Sequence, residues 1–278
     1  MKLHYSNPFT TAPVTHSAAE INASLQKWNR NLAILHALQG VVILILSATR
    51  AFPITAGFLT KDTLASSAAG HVVLAPATHV LFNLNLAYLV ATFFFLSALA
   101  HLLMAAWYRR RYEVELKQGK NRLRWFEYSL SASVMLVGIA ILSGIYDAGS
   151  LLLIFALVAV MNLCGLVMET HNSLTKRGKV NWLSYWIGCI AGIVPWLVIA
   201  GAIIAANIYG SGNIPGFVYG IYISMFLFFT SFAVNMYLQY KKQGKWASYY
   251  YGERGYMVLS LVAKSVLAWQ VFAGALRP

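Results

Sequence analysis

Hydrophobic positions in this chain gather into long runs separated by short polar, mostly basic segments. Seven runs approach or exceed the roughly 20 mostly apolar residues a helix needs to cross a bilayer. They are Leu32–Thr49, Pro76–Tyr108, Trp125–Ile145, Ser150–Thr170, Trp182–Ile208, Pro215–Tyr240 and Gly255–Leu276. The pattern predicts an all-α bundle of seven transmembrane helices, with residues 1–278 forming a single membrane domain. The second run is long enough to tilt, or to project into water at one end. Residues 50–75 make the longest loop, whose Thr, Ser, Gly and Val content allows a short hairpin and an interaction surface. Asp147–Gly149 and Tyr209–Ile214 read as tight turns, and no soluble domain, internal repeat or low-complexity tract is evident.

Composition strengthens this reading. Hydrophobic residues are 59% of the chain and charged residues 10%, against about 25% charged in soluble domains. The net charge of +13 could suggest nucleic acid, but the basic residues sit between apolar runs. They read instead as topology signals and contacts to anionic lipid, which excludes a nucleic-acid partner and makes the bilayer the first one. Seventeen Lys and Arg fall on the amino-terminal side: Lys2, Lys27 and Arg30, seven from Arg109 to Arg124, Lys176, Arg177 and Lys179, and four from Lys241 to Arg254. Only Arg50, Lys61 and Arg277 fall opposite. The positive-inside rule therefore predicts a cell-membrane protein with a cytoplasmic amino terminus, a cytoplasmic leader over residues 1–31, an extracellular 50–75 loop and an extracellular carboxyl terminus. The leader is polar, with Pro8, Pro13, Glu20, Lys27 and Arg30, and shows no cleavable signal peptide. Cys164 and Cys189 lie inside apolar runs and read as packing residues.

The remaining cation is Lys264, near the middle of the seventh run. An unpaired charge at that depth costs about 2.5–3.5 kcal/mol on insertion scales. Such a lysine is kept either by a structural carboxylate partner or by chemical use, since a buried amine can form a Schiff base with an aldehyde. Glu20, Glu113, Glu115, Glu169 and Glu253 fall in cytoplasmic segments or at their edge, and Asp62 and Asp147 outside. Glu127 alone opens into a span, which makes it the expected partner and, for a protonated Schiff base, the counterion. Counting from the span edges separates the two by roughly 10 Å in depth at 1.5 Å per residue. The lean of Lys264 toward its helix amino end closes part of this, and tilt or an earlier start of the third span must supply the rest.

Three polar pairs at four-residue spacing share helix faces: Ser97 with His101, Glu127 with Ser131, and Ser260 with Lys264. His36 and His101 fall at matching depth in the same half as Glu127, which predicts a hydrogen-bonded, hydrated cavity; His71 and His79 lie nearer the outer surface, without an assigned role. Tyr128, Trp186, Trp196, Tyr222, Phe226 and Phe229 are candidates to wall a slot for a flat polyene, although ordinary packing explains each singly. Metal-ligand pairs, nucleophile constellations and phosphate loops are not apparent, so neither a metal nor an enzyme is expected.

Seven spans, a lysine midway along the seventh and a carboxylate on the third resemble retinal-binding rhodopsins. The stretches His36-Ala37-Leu38-Gln39-Gly40, Ser97 to His101, Arg124-Trp125-Phe126-Glu127-Tyr128 and Ser260 to Gln270, with the inverted orientation, resemble heliorhodopsins in particular. The resemblance implies all-trans retinal on Lys264, Glu127 as counterion, and Ser97 and Ser260 hydrogen-bonding near the linkage. It places His36, His101 and Arg124 at the cytoplasmic-side polar cavity, and Phe229 where ordinary microbial rhodopsins carry a tryptophan. It also implies a homodimer to which the first outer loop contributes. Light would isomerise the chromophore, move the imine proton relative to Glu127 and shift the cytoplasmic helix ends for a signalling partner to read. The alternative is a light-gated proton channel or transporter; a pump is disfavoured because nothing acidic lies on the far side of Lys264. A third reading keeps Lys264–Glu127 as a structural pair in a membrane enzyme or transporter that does not use light.

Overall fold

The computed structural model describes residues 3–6, 13–16, 18–174, 179–212 and 214–278; Lys2, Lys176 and Arg177 of the charge count lie outside them. Short strands β1 (Leu3–Ser6) and β2 (Pro13–His16) pair antiparallel ahead of α1 (Ala18–Leu46). A long hairpin follows, built from β3 (Ala51–Lys61), a short helix α2 (Thr63–Ala69) and β4 (Leu74–Asn85). The chain continues through α3 (Leu86–Ala105), α4 (Arg109–Lys117), α5 (Arg122–Leu142), α6 (Ala148–Leu174), α7 (Leu183–Tyr209), α8 (Gly216–Tyr240) and α9 (Tyr249–Val271). A single π turn over Phe272–Leu276 ends α9.

Seven of these helices, α1, α3 and α5 to α9, are long and apolar enough to cross a membrane. Without water, a backbone must satisfy its own N–H and C=O groups, and the helix does this within each segment. Leu35, Ile45, Leu99, Leu152, Leu153, Ile190, Leu197 and Leu227 point outward, which suits lipid as the solvent. Neighbours in the chain pack side by side from α1 to α3, α5, α6 and α7, while α9 returns against α8, α1 and α3. This arrangement brings α3, α5 and α9 together at the middle of the bundle.

The main departure from sequence expectation is at the second span. Its first part, from Pro76 to Asn85, is strand, so the loop expected over 50–75 runs on through Asn85. Apolar length does not distinguish strand from helix. Here β4 pairs with β3 from Ala51–Asn85 to Lys61–Leu74, with a bulge at Ile54/Thr55. Asn85 then stops the strand by accepting the Ala87 N–H at 3.0 Å, capping α3. Asp62 caps α2 through Ala65 N at 2.9 Å, and Gly70, at φ 71°, closes it in a left-handed conformation suited to glycine. The hairpin is docked on the α5–α6 turn, where Thr55 N donates to Tyr146 O at 2.9 Å. Other boundaries move outward, most of all at α1, which begins at Ala18 rather than Leu32, and at α9, which begins at Tyr249 rather than Gly255.

At the hairpin end the core is aliphatic and aromatic, with Ile43, Leu86, Phe93, Phe94, Leu136, Ile139, Ile221 and Leu267. At the opposite end α4 is amphipathic. It buries Tyr112 and Leu116 against Leu25, Met104 and Met257, and carries Arg109, Arg110 and Arg111 on its first turn.

Candidate functional site

Lys264 and Glu127 meet in the middle of the bundle, with Lys264 Nζ 3.3 Å from Glu127 Oε1. The lysine reaches back one helical turn, as its lean predicts, and donates to Ser260 Oγ at 2.7 Å. Ser97, from α3, donates to the same Glu127 oxygen at 2.6 Å. Three helices thus converge on one carboxylate, and the depth gap counted from span edges is absorbed. Both charged groups are nearly sealed from solvent, at 3% and 8% exposed. In such a setting an ion pair holds only when its remaining hydrogen-bonding capacity is met, and the two serines meet part of it. The Tyr128 ring lies 5.1 Å from Nζ, held in place by its hydroxyl donating to Tyr256 O at 2.9 Å.

Beside this pair, His36 and His101 stack almost parallel, with ring centroids 5.6 Å apart and planes at 8°. His101 Nδ1 lies 2.8 Å from Asn29 Oδ1. Both ring nitrogens of His36 and the hydroxyl of Ser131 are buried and make no hydrogen bond within the protein. Buried polar atoms are seldom left this way.

Arg124 belongs to a separate layer toward the α4 end. Its guanidinium bonds both Glu169 of α6 and Glu253 of α9, and lies 4.1 Å from the centre of the Tyr256 ring. Glu169 also accepts from Trp125 Nε1 at 2.7 Å, Tyr249 Oη at 3.1 Å and Asn121 N at 2.9 Å. Glu253 accepts from Asn121 Nδ2 at 2.8 Å and Tyr112 Oη at 3.1 Å. This corrects the sequence-based placement of Glu169 and Glu253 in loops or at their edge, because both are 1% exposed inside helices. Their closeness to the basic segments hid them: Glu169 is the last residue but one of its apolar run, and Glu253 lies just ahead of its own, where α9 has already begun. Removing one partner of a buried pair strands the other charges, at a cost of about 3–5 kcal/mol. Arg124→Leu is therefore expected to lower thermal stability by that order in detergent, and Glu169→Gln with Glu253→Gln in the same chain to recover part of it.

A cavity of about 520 Å³ lies among α5, α6, α7 and α8. A smaller one, about 40 Å³, touches Lys264, Ser260 and Tyr128. The two share Met161, Asn162, Phe229 and Phe232, so apolar space leads from the lysine out between the helices. Trp196 stands edge-on to Phe226 and Phe229 at 5.5 and 5.4 Å and lines the larger cavity with them. Trp186 also lines it, but is 57% exposed, so it borders the outer face rather than lying deep as its sequence position suggests. Tyr222 packs behind Trp196, its hydroxyl donating to Trp196 O at 3.3 Å. Glycine lets two wall side chains approach the helix backbone: a Cβ at Gly192 would come within 2.4 Å of Met161 Sδ, and one at Gly165 within 2.4 Å of Trp125.

Residues 25–276 match the family model of the heliorhodopsins, nearly the whole chain. The chain belongs to the heliorhodopsin family. Heliorhodopsins are retinal-binding membrane photoreceptors, not classical enzymes. No curated protein matches the chain. The residues fit the family's chromophore on two counts. The larger cavity lies within the roughly 300–1,000 Å³ of small-molecule sites, and a buried amine lines the smaller one that shares its walls. Sequence reading overlooked Met161, Asn162 and Phe232 in the walls and Asn29 beside His101. Met161 and Phe232 carry no signal beyond apolar helix, whereas Asn162 and Asn29 are amides, Asn162 inside the fourth apolar run and Asn29 three residues ahead of the first, and could have been found by their polarity.

Proposed function

We propose that this protein is a sensory photoreceptor that holds all-trans retinal as a protonated Schiff base on Lys264 Nζ, with Glu127 as counterion. The observation that carries the reading is the buried Lys264–Glu127 pair, 3.3 Å apart, at the end of an aromatic cavity. Retinal bound there supplies visible absorption and a light-driven isomerisation. Lys264 Nζ holds the proton, Glu127 Oε1 keeps it there by its charge, and Ser97 and Ser260 orient the two groups. Trp196, Phe226, Phe229 and Tyr128 flank the polyene, with Trp186 at the outer border. Once light weakens the hold of Glu127, the proton leaves Nζ toward the His36–His101 cavity. Arg124, with Glu169 and Glu253, ties α5, α6 and α9 at the level beyond and passes the change to the helix ends.

The same reading places the whole chain in one membrane domain, with the amino terminus and α4 in the cytoplasm and the β3–β4 hairpin and carboxyl terminus outside. The basic face of α4 would meet a cytoplasmic signalling partner. The hairpin exposes Phe58, Leu59, Leu74, Leu81 and Phe82, apolar surface suited to a second copy of the chain in a homodimer. Light-gated proton conduction is the second reading, favoured by the two buried carboxylates between Lys264 and the α4 end. Against it stands the last part of the seventh span, residues 265–276, which holds no acidic residue.

Adding all-trans retinal to the purified chain is expected to give a visible-absorbing pigment, and illumination of cells expressing it neither current nor pH change. A chain that stays colourless would remove the photoreceptor reading, and a light-evoked current would turn it into a channel.

A further inference from the structure

Asn29 sits on α1, fully buried, with nothing in the proposed photochemistry yet assigned to it. Its amide orientation is dictated by its neighbours. Asn29 Nδ2 donates to Leu25 O at 3.0 Å, and a backbone carbonyl can only accept. With Nδ2 directed at that carbonyl, Oδ1 is the atom that faces His101 Nδ1 at 2.8 Å. Turning the amide over would set two oxygens against each other at Leu25. An acceptor opposite Nδ1 requires the imidazole to carry its hydrogen there, and a neutral ring then presents a lone pair at Nε2.

We propose that Asn29 is a positioning residue that locks His101 in the Nδ1–H form, leaving Nε2 as the atom that takes the proton Lys264 Nζ loses. This rests on the photoreceptor reading above. The balance is a single proton: the N–H bond at Lys264 breaks, the N–H bond at His101 Nε2 forms, and Nζ becomes neutral as the imidazole becomes a cation. The groups facing that cation are Glu127, whose carboxylate favours it, and Lys264 and the stacked His36, neutral at that moment. The Asn29 Oδ1 contact strengthens as the ring charges, because hydrogen bonds from a charged donor are about twice as strong as neutral ones. His36, with both nitrogens unpartnered, has no such lock.

The test is nitrogen-15 NMR of histidine in the full chain in lipid nanodiscs, dark and retinal-free, with the His101 signals assigned by their loss in His101→Phe. The expected result is a hydrogen on Nδ1; a hydrogen on Nε2 overturns the proposal. Asn29→Leu is expected to move the hydrogen to Nε2 or to a mixture. In the retinal-loaded chain, Asn29→Leu is expected to slow the rise of the near-ultraviolet species by about fivefold or more, the worth of one buried hydrogen bond. Unchanged tautomer and kinetics in Asn29→Leu overturn the assignment. If Asn29→Leu does not fold, the unsubstituted chain still decides through its own tautomer. A wild type that binds no retinal sinks the photoreceptor reading alone, since the tautomer is read without chromophore.

Discussion

Lys264→Ala is expected to leave the protein colourless in the presence of all-trans retinal, the largest effect any single substitution here should have. A Schiff base needs a primary amine placed against the aldehyde, and no other lysine lines either cavity. The substitution also strands Glu127, which retains Ser97 as a donor but loses its cation. A stranded buried carboxylate costs about 3–5 kcal/mol, or takes up a proton instead. Loss of colour could therefore be confused with loss of fold. Two measurements separate them. Circular dichroism should show the helices of Lys264→Ala intact. Retinal already condensed with a short alkylamine should restore a visible band, because the cavity and Glu127 remain and only the tether is gone. A visible pigment formed by Lys264→Ala from retinal alone would place the attachment elsewhere.

The fold was legible from apolar run length to the extent that run length corresponds to helix. All seven spans are where the runs lie, but their ends are not. Pro76–Asn85 counts as apolar and is strand, because its partner, Ala51–Lys61, lies far away in sequence. At the site, Lys264 and Glu127 stood out because charge is rare in these helices, and Ser97, Ser260, His36 and His101 because helical periodicity puts them on shared faces. Glu169 and Glu253 were misplaced for the converse reason. Each adjoins a polar segment, Glu169 at the last positions of its run and Glu253 just ahead of its own, so neither looks costly until the helices are seen to bury both around Arg124. Trp186 shows the limit of depth as a guide: it lies within a span, but its azimuth turns it outward, and azimuth depends on how α7 packs on α6.

Glu127→Gln should give the largest spectral effect among variants that still bind chromophore. The carboxylate of Glu127 stands 3.3 Å from Nζ, and glutamine keeps its shape and its bond from Ser97 while removing the charge. An opposite charge at this distance holds a proton on its partner by about 1–3 pH units. Without it, the pH at which the visible band gives way to a near-ultraviolet one should fall by that amount. The sign follows from the charges: the protonated imine is the cation, so losing an anion beside it favours the neutral form. Below the new midpoint, the remaining visible band should move to longer wavelength. The carboxylate stabilises positive charge localised at Nζ in the ground state more than the charge spread along the polyene in the excited state. A spectrophotometric titration of the purified variant reads both quantities at once. Glu127→Asp, with the charge kept but set back by one methylene, should fall between the two. If neither midpoint nor maximum moves in Glu127→Gln, the anion that matters to Lys264 is another group. Glu169 and Glu253 are also buried within the spans, but Arg124 already engages them.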